Sequence, residues 1–348
     1  MRLLRAELTR LFGRRFTKIM LGVVLLLLAI VAFGLASTSH KHNAQTRAEA
    51  LAQIQQMREQ NAANIQRMRA DCEAQQKDPS TTSPGGEKFP PGFDCSQIND
   101  AFAPTDEDVA NFEPHQFVFR GDAADSLMVV GFLLALLAFA VGASFVGAEW
   151  SSGGMMNLLL WRPRRVPLLL GKLASLLLGM LVTGVVVTVA WVAGVYAIAA
   201  TRGDAHGVTR DLLTSLALTD ARALGLMLTA AVLGFCVASL GRNTATALGL
   251  AVGYVVVFEV GARIVLQLAA VPRPERFFLS NYALAWLTKT QSYFDDSSCR
   301  RAAAAGVNTN CEPVRWTLHM NQSAVLGAVL VGLAVVWAFT SFRRRDIT

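Results

Sequence analysis

The sequence predicts an all-α polytopic membrane protein: six transmembrane helices, an N-terminal amphipathic elbow helix and a long extracytoplasmic loop after the first span. Three observations carry that prediction. Six apolar runs punctuate the 348 residues, basic residues gather at one set of run ends, and four of the five cysteines fall beyond the other set.

The runs occupy residues 19–37, 124–148, 168–200, 223–240, 244–270 and 323–342. Each is close to or above the roughly 20 residues that cross about 30 Å of hydrocarbon as a helix. Helices are the expected form, because lipid offers an open backbone no hydrogen-bond partner. With the N-terminus inside, residues 1–18, 149–167, 241–243 and 343–348 are cytoplasmic. Together with Lys172 they carry 14 Lys/Arg against only Glu7, Glu149 and Asp346. The opposite orientation would place that excess outside, against the positive-inside bias. Residues 38–123 show the reverse pattern, 8 Lys/Arg against 13 Asp/Glu. The formal net charge of +7 is thus a record of topology. No aromatic-laced basic patch accompanies it, which argues against nucleic acid as a partner.

The cysteines test the topology independently. Cys72 and Cys95 lie in the first external segment, Cys299 and Cys311 in the last, and Cys236 within a span. Two external pairs suit an oxidising exterior, most simply as Cys72–Cys95 and Cys299–Cys311, although four cysteines allow three connectivities.

Within residues 1–18, Leu4, Leu8, Leu11 and Phe12 recur at helical spacing opposite Arg2, Arg5, Arg10 and Arg14, the pattern of an amphipathic helix lying in the inner interface. A secretory signal also begins with a basic region and an apolar run. Here the basic part is long and periodic and the run exceeds a usual signal core, which favours an uncleaved first span. In the external segment 38–123, residues 42–72 lack Gly and Pro and space Leu51, Ile54, Ile65 and Met68 for a helix. Residues 78–93 are rich in Pro and Gly and read as irregular loop. This cap is either a solvated spacer or a lid that handles substrate.

Residues 201–222 form the second external loop, with 208–222 expected on the outer surface. Residues 271–322 carry Phe277, Phe278, Tyr282, Trp286, Tyr293 and Trp316, suited to an interfacial hairpin or helix at headgroup depth. Glu259 and Arg263 are the sole ionisable pair inside a span and lie one helical turn apart. They can neutralise each other in place, as a structural pair or as part of a substrate path. Gly249 and Gly253, on the same helix, make a small-xxx-small pair that would let another helix approach.

Chemistry of the catalytic kind is not legible. All five histidines (His40, His42, His115, His206, His319) fall in external segments without metal-ligand spacing, so no metal or catalytic residue is assigned. His40 and His42 read as a solvated pair. No Gly-x-x-x-x-Gly-Lys-Ser/Thr loop is present to cradle a nucleotide's phosphates.

The most specific stretch is the link 149–167 with its borders: Gly147, Glu149, Gly153 and Gly154, a Leu158-Leu159-Leu160 turn, Arg162-Pro163-Arg164-Arg165, Pro167, then Gly171-Lys172. It resembles the ABC-2 type permeases of ATP-binding-cassette exporters. In that family an acidic residue ending the second span precedes a Gly, a Leu-rich turn, a Pro with nearby Arg, and a Gly-Lys opening the third span. The sequence departs at Gly154, where Thr is common, in the Pro–Arg spacing, and in the added Pro167. The resemblance implies that Glu149, Gly153, Leu158, Leu159, Pro163, Arg164 and Arg165 couple the chain to a separate ATPase subunit, which would bind ATP and Mg. It implies an exporter in the plasma membrane, both termini cytoplasmic, working with a second permease copy or a related permease. No cofactor is expected in this chain. Glu149 stands out because an isolated acid at the membrane edge faces a basic loop, with Arg162, Arg164 and Arg165 as available partners. An ion-coupled secondary transporter would need several intramembrane polar groups, and a membrane enzyme a nucleophile, base or metal.

Overall fold

The computed structural model describes residues 2–77, 94–98, 108–155, 157, 165–269, 271–295, 297, 299 and 312–344. In chain order the elements are α1 (Arg2–Gly13), α2 (Arg15–Thr38), α3 (Ala44–Lys77), α4 (Val109–Phe112), α5 (Phe119–Ser151), α6 (Arg165–Arg202) and α7 (Arg210–Gly241). There follow α8 (Thr244–Leu268), α9 (Leu279–Thr288), β1 (Thr290–Asp295), β2 (Val314–His319) and α10 (Met320–Arg344). Helices α2, α5, α6, α7, α8 and α10 are long and apolar enough to cross a membrane. The protein is a mostly helical, multi-pass membrane protein.

The chain divides into two compact units, residues 1–33, 118–197 and 205–348 in one, and 34–117 with 198–204 in the other. In the first, α5 and α7 pack against each other along much of their length. Each contributes a glycine where the backbones meet: a side chain at Gly142 would strike the carbonyl of Ala231, and one at Gly234 the carbonyl of Phe139. Close approach through small residues is how helices gain packing where lipid supplies no hydrophobic drive. Gly249 and Gly253, by contrast, have nothing near them. They lie on α8, whose one fully buried residue is Ala247.

From Arg210 the segment expected as loop is helical. Thr209 caps α7 by accepting from the Leu212 N–H at 3.3 Å, and the helix runs unbroken to Gly241. No Gly or Pro interrupts residues 210–224, so nothing stops helix propagation. The segment 271–322 holds both of the expected forms, a helix and a hairpin, and the two strands depart from an all-α fold. β1 and β2 pair antiparallel with Tyr293 opposite Trp316, and the two rings stack 5.2 Å apart. The aromatic and β-branched residues of the two strands favour such a pair over helix. Helix α9 is packed against spans: Asn281, Ala285 and Leu287 are buried, and the Trp286 indole donates to the Arg222 carbonyl at 2.8 Å.

In the second unit, Cys72 of α3 is disulfide-bonded to Cys95. Ala50 and Ile54 pack with Val109 against Phe112. The Ser39 hydroxyl accepts from the Phe117 N–H at 3.0 Å and donates to the Arg202 carbonyl at 3.1 Å. His42 lies 3.2 Å from the Glu113 carboxylate. Cys299 is disulfide-bonded; its expected partner, Cys311, lies outside the described residues.

Candidate functional site

Four charged side chains from three parts of the chain meet at the end of the bundle where α5 terminates. Lys172 of α6 is wholly buried, with Nζ 3.0 Å from Glu7 Oε2 of α1 and 2.7 Å from Glu149 Oε2 of α5. The first contact is a hydrogen bond and the second an ion pair without hydrogen-bond alignment. Arg14, at the break between α1 and α2, donates to Glu149 Oε1 at 2.7 Å and to the Ser144 carbonyl at 2.9 Å. Arg10 reaches Glu7 at 3.3 Å. The Phe145 ring floors the cluster, with Arg14 and Lys172 each about 5 Å from its centroid, a range in which cation–π attraction operates. Each buried charge therefore has an opposite partner, without which burial would be prohibitive.

The apolar stripe of α1 explains why the cluster can form. Leu8, Leu11 and Phe12 close over Gly179, where an added side chain would lie 2.6 Å from Leu11 Cδ2. Leu11 is fully buried. The stripe thus packs on α6 and brings Glu7, one helical turn from Leu11, onto Lys172.

The same end of α5 also reaches the remaining elements here. Arg242, in the turn between α7 and α8, lies over the Trp150 ring at 5.3 Å. Phe342 of α10 meets Trp150 edge-on at 5.9 Å. A side chain at Gly147 would collide with Thr244 of α8. Beyond Glu149 the chain turns at Gly153, whose φ of +71° is one that glycine takes without strain. A further helical turn follows, with the Asn157 N–H donating to the Gly153 carbonyl and Met155 buried. At this junction α5 ends in a glycine turn and is tied by Glu149 to α1 and α6 and by Trp150 to the α7–α8 turn and α10.

Of the residues singled out in the sequence, Glu149 sits at the centre of this junction and Gly153 at its turn. Leu158, Leu159, Arg162, Pro163 and Arg164 lie outside the described residues; Arg165 opens α6. The partners that Glu149 has are Arg14 and Lys172, which the sequence placed on the polar face of the first helix and at the opening of the third span without pairing them with Glu149. A signal was present for both: Lys172 is the lone charge within its apolar run, and Glu7 the lone acid in a basic segment.

Glu259 and Arg263 lie elsewhere, on a π-helical stretch of α8 (Val255–Ala262) and just after it. They are 3.3 Å apart. The carboxylate also accepts from the Ser280 N–H at 2.9 Å, the Ser280 hydroxyl at 2.6 Å and the Tyr254 hydroxyl at 3.1 Å. Arg263 lies over the Phe278 ring at 4.6 Å. The pair thereby holds the start of α9 against α8, a role for the charge that keeps it satisfied. Among the described residues no group of three His, Cys, Asp or Glu is placed to hold a metal ion.

Six apolar helices with a charged junction at one end describe a membrane-embedded machine rather than a soluble domain with an anchor. The pattern of the ABC-2 family transporter proteins matches residues 10–347. The chain belongs to that family, whose members are membrane components of transporters. Comparison with curated proteins found no match.

Proposed function

We propose that this chain is the permease subunit of an ABC exporter. It pairs with a second copy or a related permease in the plasma membrane, and two ATPase subunits dock on the end of the bundle that carries the 149–165 link. ATP and Mg belong to those subunits, and the termini face them. The observation that carries the reading is the buried Glu7–Lys172–Glu149–Arg14 cluster, which ties the start of the link to α1 and α6. A push on the link by a nucleotide-driven partner is passed to three helices at once, because charged contacts in a packed interior have discrete arrangements and do not stretch. The exposed face of α8, with Gly249 and Gly253 open, suits the second permease.

Substitution tests the role. Glu149→Gln keeps the size and removes the charge. In membranes reconstituted with the ATPase, it leaves ATP hydrolysis largely in place and lowers transport per ATP by about tenfold, the effect of losing one charged contact in a two-state element. Transport per ATP equal to wild type would reduce the link to a topological tether.

A further inference from the structure

At the opposite end of the first unit, a cleft of about 720 Å³ opens between β2, the Pro274–Phe277 turn and the first turns of α10. That volume lies in the range of small-molecule sites, about 300–1,000 Å³. Its mouth carries Arg273 and Arg276, and no carboxylate lines it. Among the described residues neither guanidinium forms an ion pair. Asp295 lies near the Arg273 charge, and Arg276 stacks over Phe277 at 5.2 Å. In the wall, the Trp316 indole N–H is buried with no acceptor. The cleft also adjoins the N-terminal end of α10, which adds positive potential.

Below this mouth the lining changes character. Val325, Leu326 and Val329 follow Asn321 and Gln322 along α10, and Val325 and Val329 are exposed. From residue 321 to 329 the helix descends about 12 Å. Cationic and hydrogen-bonding groups therefore give way to an apolar wall along one of the membrane-crossing helices. A soluble anion has use only for the first part; an amphiphile uses both.

We propose that this cleft binds an anionic phospholipid from the adjoining leaflet, its phosphate held by Arg273 and Arg276 and its upper acyl chain lying on Val325, Leu326 and Val329. The planar guanidinium suits a phosphodiester, presenting paired donors to paired oxygens. The aromatic residues around it, Tyr282 and Trp316, belong at headgroup depth.

The test uses the full chain in phosphatidylcholine nanodiscs doped with phosphatidylglycerol, and native mass spectrometry to count the lipids retained after extraction. Wild type is expected to keep phosphatidylglycerol in preference to phosphatidylcholine. Arg273→Gln with Arg276→Gln lowers its occupancy by about tenfold or more, as loss of charge-assisted contacts requires. Leu326→Trp, which fills the apolar wall and leaves the charge untouched, lowers it as well. Should the double variant fail to fold, Arg276→Gln alone gives the reading, because that guanidinium packs over the Phe277 ring and forms no ion pair among the described residues. Equal retention of phosphatidylglycerol by wild type and the arginine variant, or equal retention of the two lipids by wild type, overturns the proposal. Displacement of phosphatidylglycerol by millimolar inorganic phosphate overturns the lipid in favour of a free anion.

Discussion

Replacing Lys172 by Met should destabilise the protein more than any other single change at the charged junction. The ammonium is wholly buried and answers two carboxylates, at 3.0 and 2.7 Å. At an effective dielectric constant of about 20, each contact supplies about 6 kcal/mol of direct attraction. Most of that offsets desolvation, so the net cost of removing one partner from a buried pair is about 3–5 kcal/mol. At about 2 °C per kcal/mol for a chain of this size, the apparent Tm falls by about 6–10 °C. Cys236 is buried and free, whereas Cys72, Cys95 and Cys299 are disulfide-bonded, so a thiol-reactive dye reports the exposure of Cys236 as the detergent-solubilised protein is heated. Scan rate is held constant, since unfolding of a membrane protein is commonly irreversible. Converting Glu7 and Glu149 to Gln in the same chain should recover about 2 kcal/mol or more, because neutral groups tolerate burial better than unpaired charges. A K172M protein melting within about 1 °C of wild type would refute the reasoning, given that sensitivity. So would an E7Q/K172M/E149Q protein no more stable than K172M.

Three further outcomes follow from the same structure. Gly142→Leu should separate α5 from α7, since the added side chain meets the Ala231 carbonyl, and should abolish folded yield in size-exclusion chromatography; Gly249→Leu, in open space, should leave monomer folding intact. Removing the Cys72–Cys95 bond, which spans 23 residues, should destabilise its own unit by about 3 kcal/mol, read as faster proteolysis of α3 under native conditions. Cysteine labelling in sealed membranes should reach positions 80–92 and 295–310 from outside only, and positions 155 and 344 from inside only; labelling of 344 from outside would contradict an even number of spans.

The six spans were legible because hydrocarbon imposes a length and a composition that a single sequence displays openly. Helix ends were less so. Residues 210–222 read as loop because Arg210, Asp211, Asp220 and Arg222 dilute the apolar run, yet helix propagation needs no apolarity once the turn is nucleated. The hairpin was named only as one of two forms, since Tyr293 and Trp316 become partners through pairing across 22 intervening residues. Glu149 was found by its sign against a basic background, and Cys72 and Cys95 by their shared side. The partners of Glu149 were not, because contacts between Arg14, Glu149 and Lys172 depend on how three helices pack, which no local pattern encodes. The glycines that matter for packing, Gly142 and Gly234, were hidden for the same reason: their spacing is unremarkable until the partner backbone is in place.

The proposed function requires an ATPase subunit to engage the link that begins at Glu149. A photo-crosslinking amino acid at Asn157, an exposed position on the link, addresses it directly, in cells that also express a candidate ATPase subunit. An ATPase adduct is expected at Asn157, strengthening when hydrolysis is trapped, and none at Gln322 beside the opposite cleft. An adduct at Gln322, or none at Asn157 while the two subunits still co-purify, would contradict it.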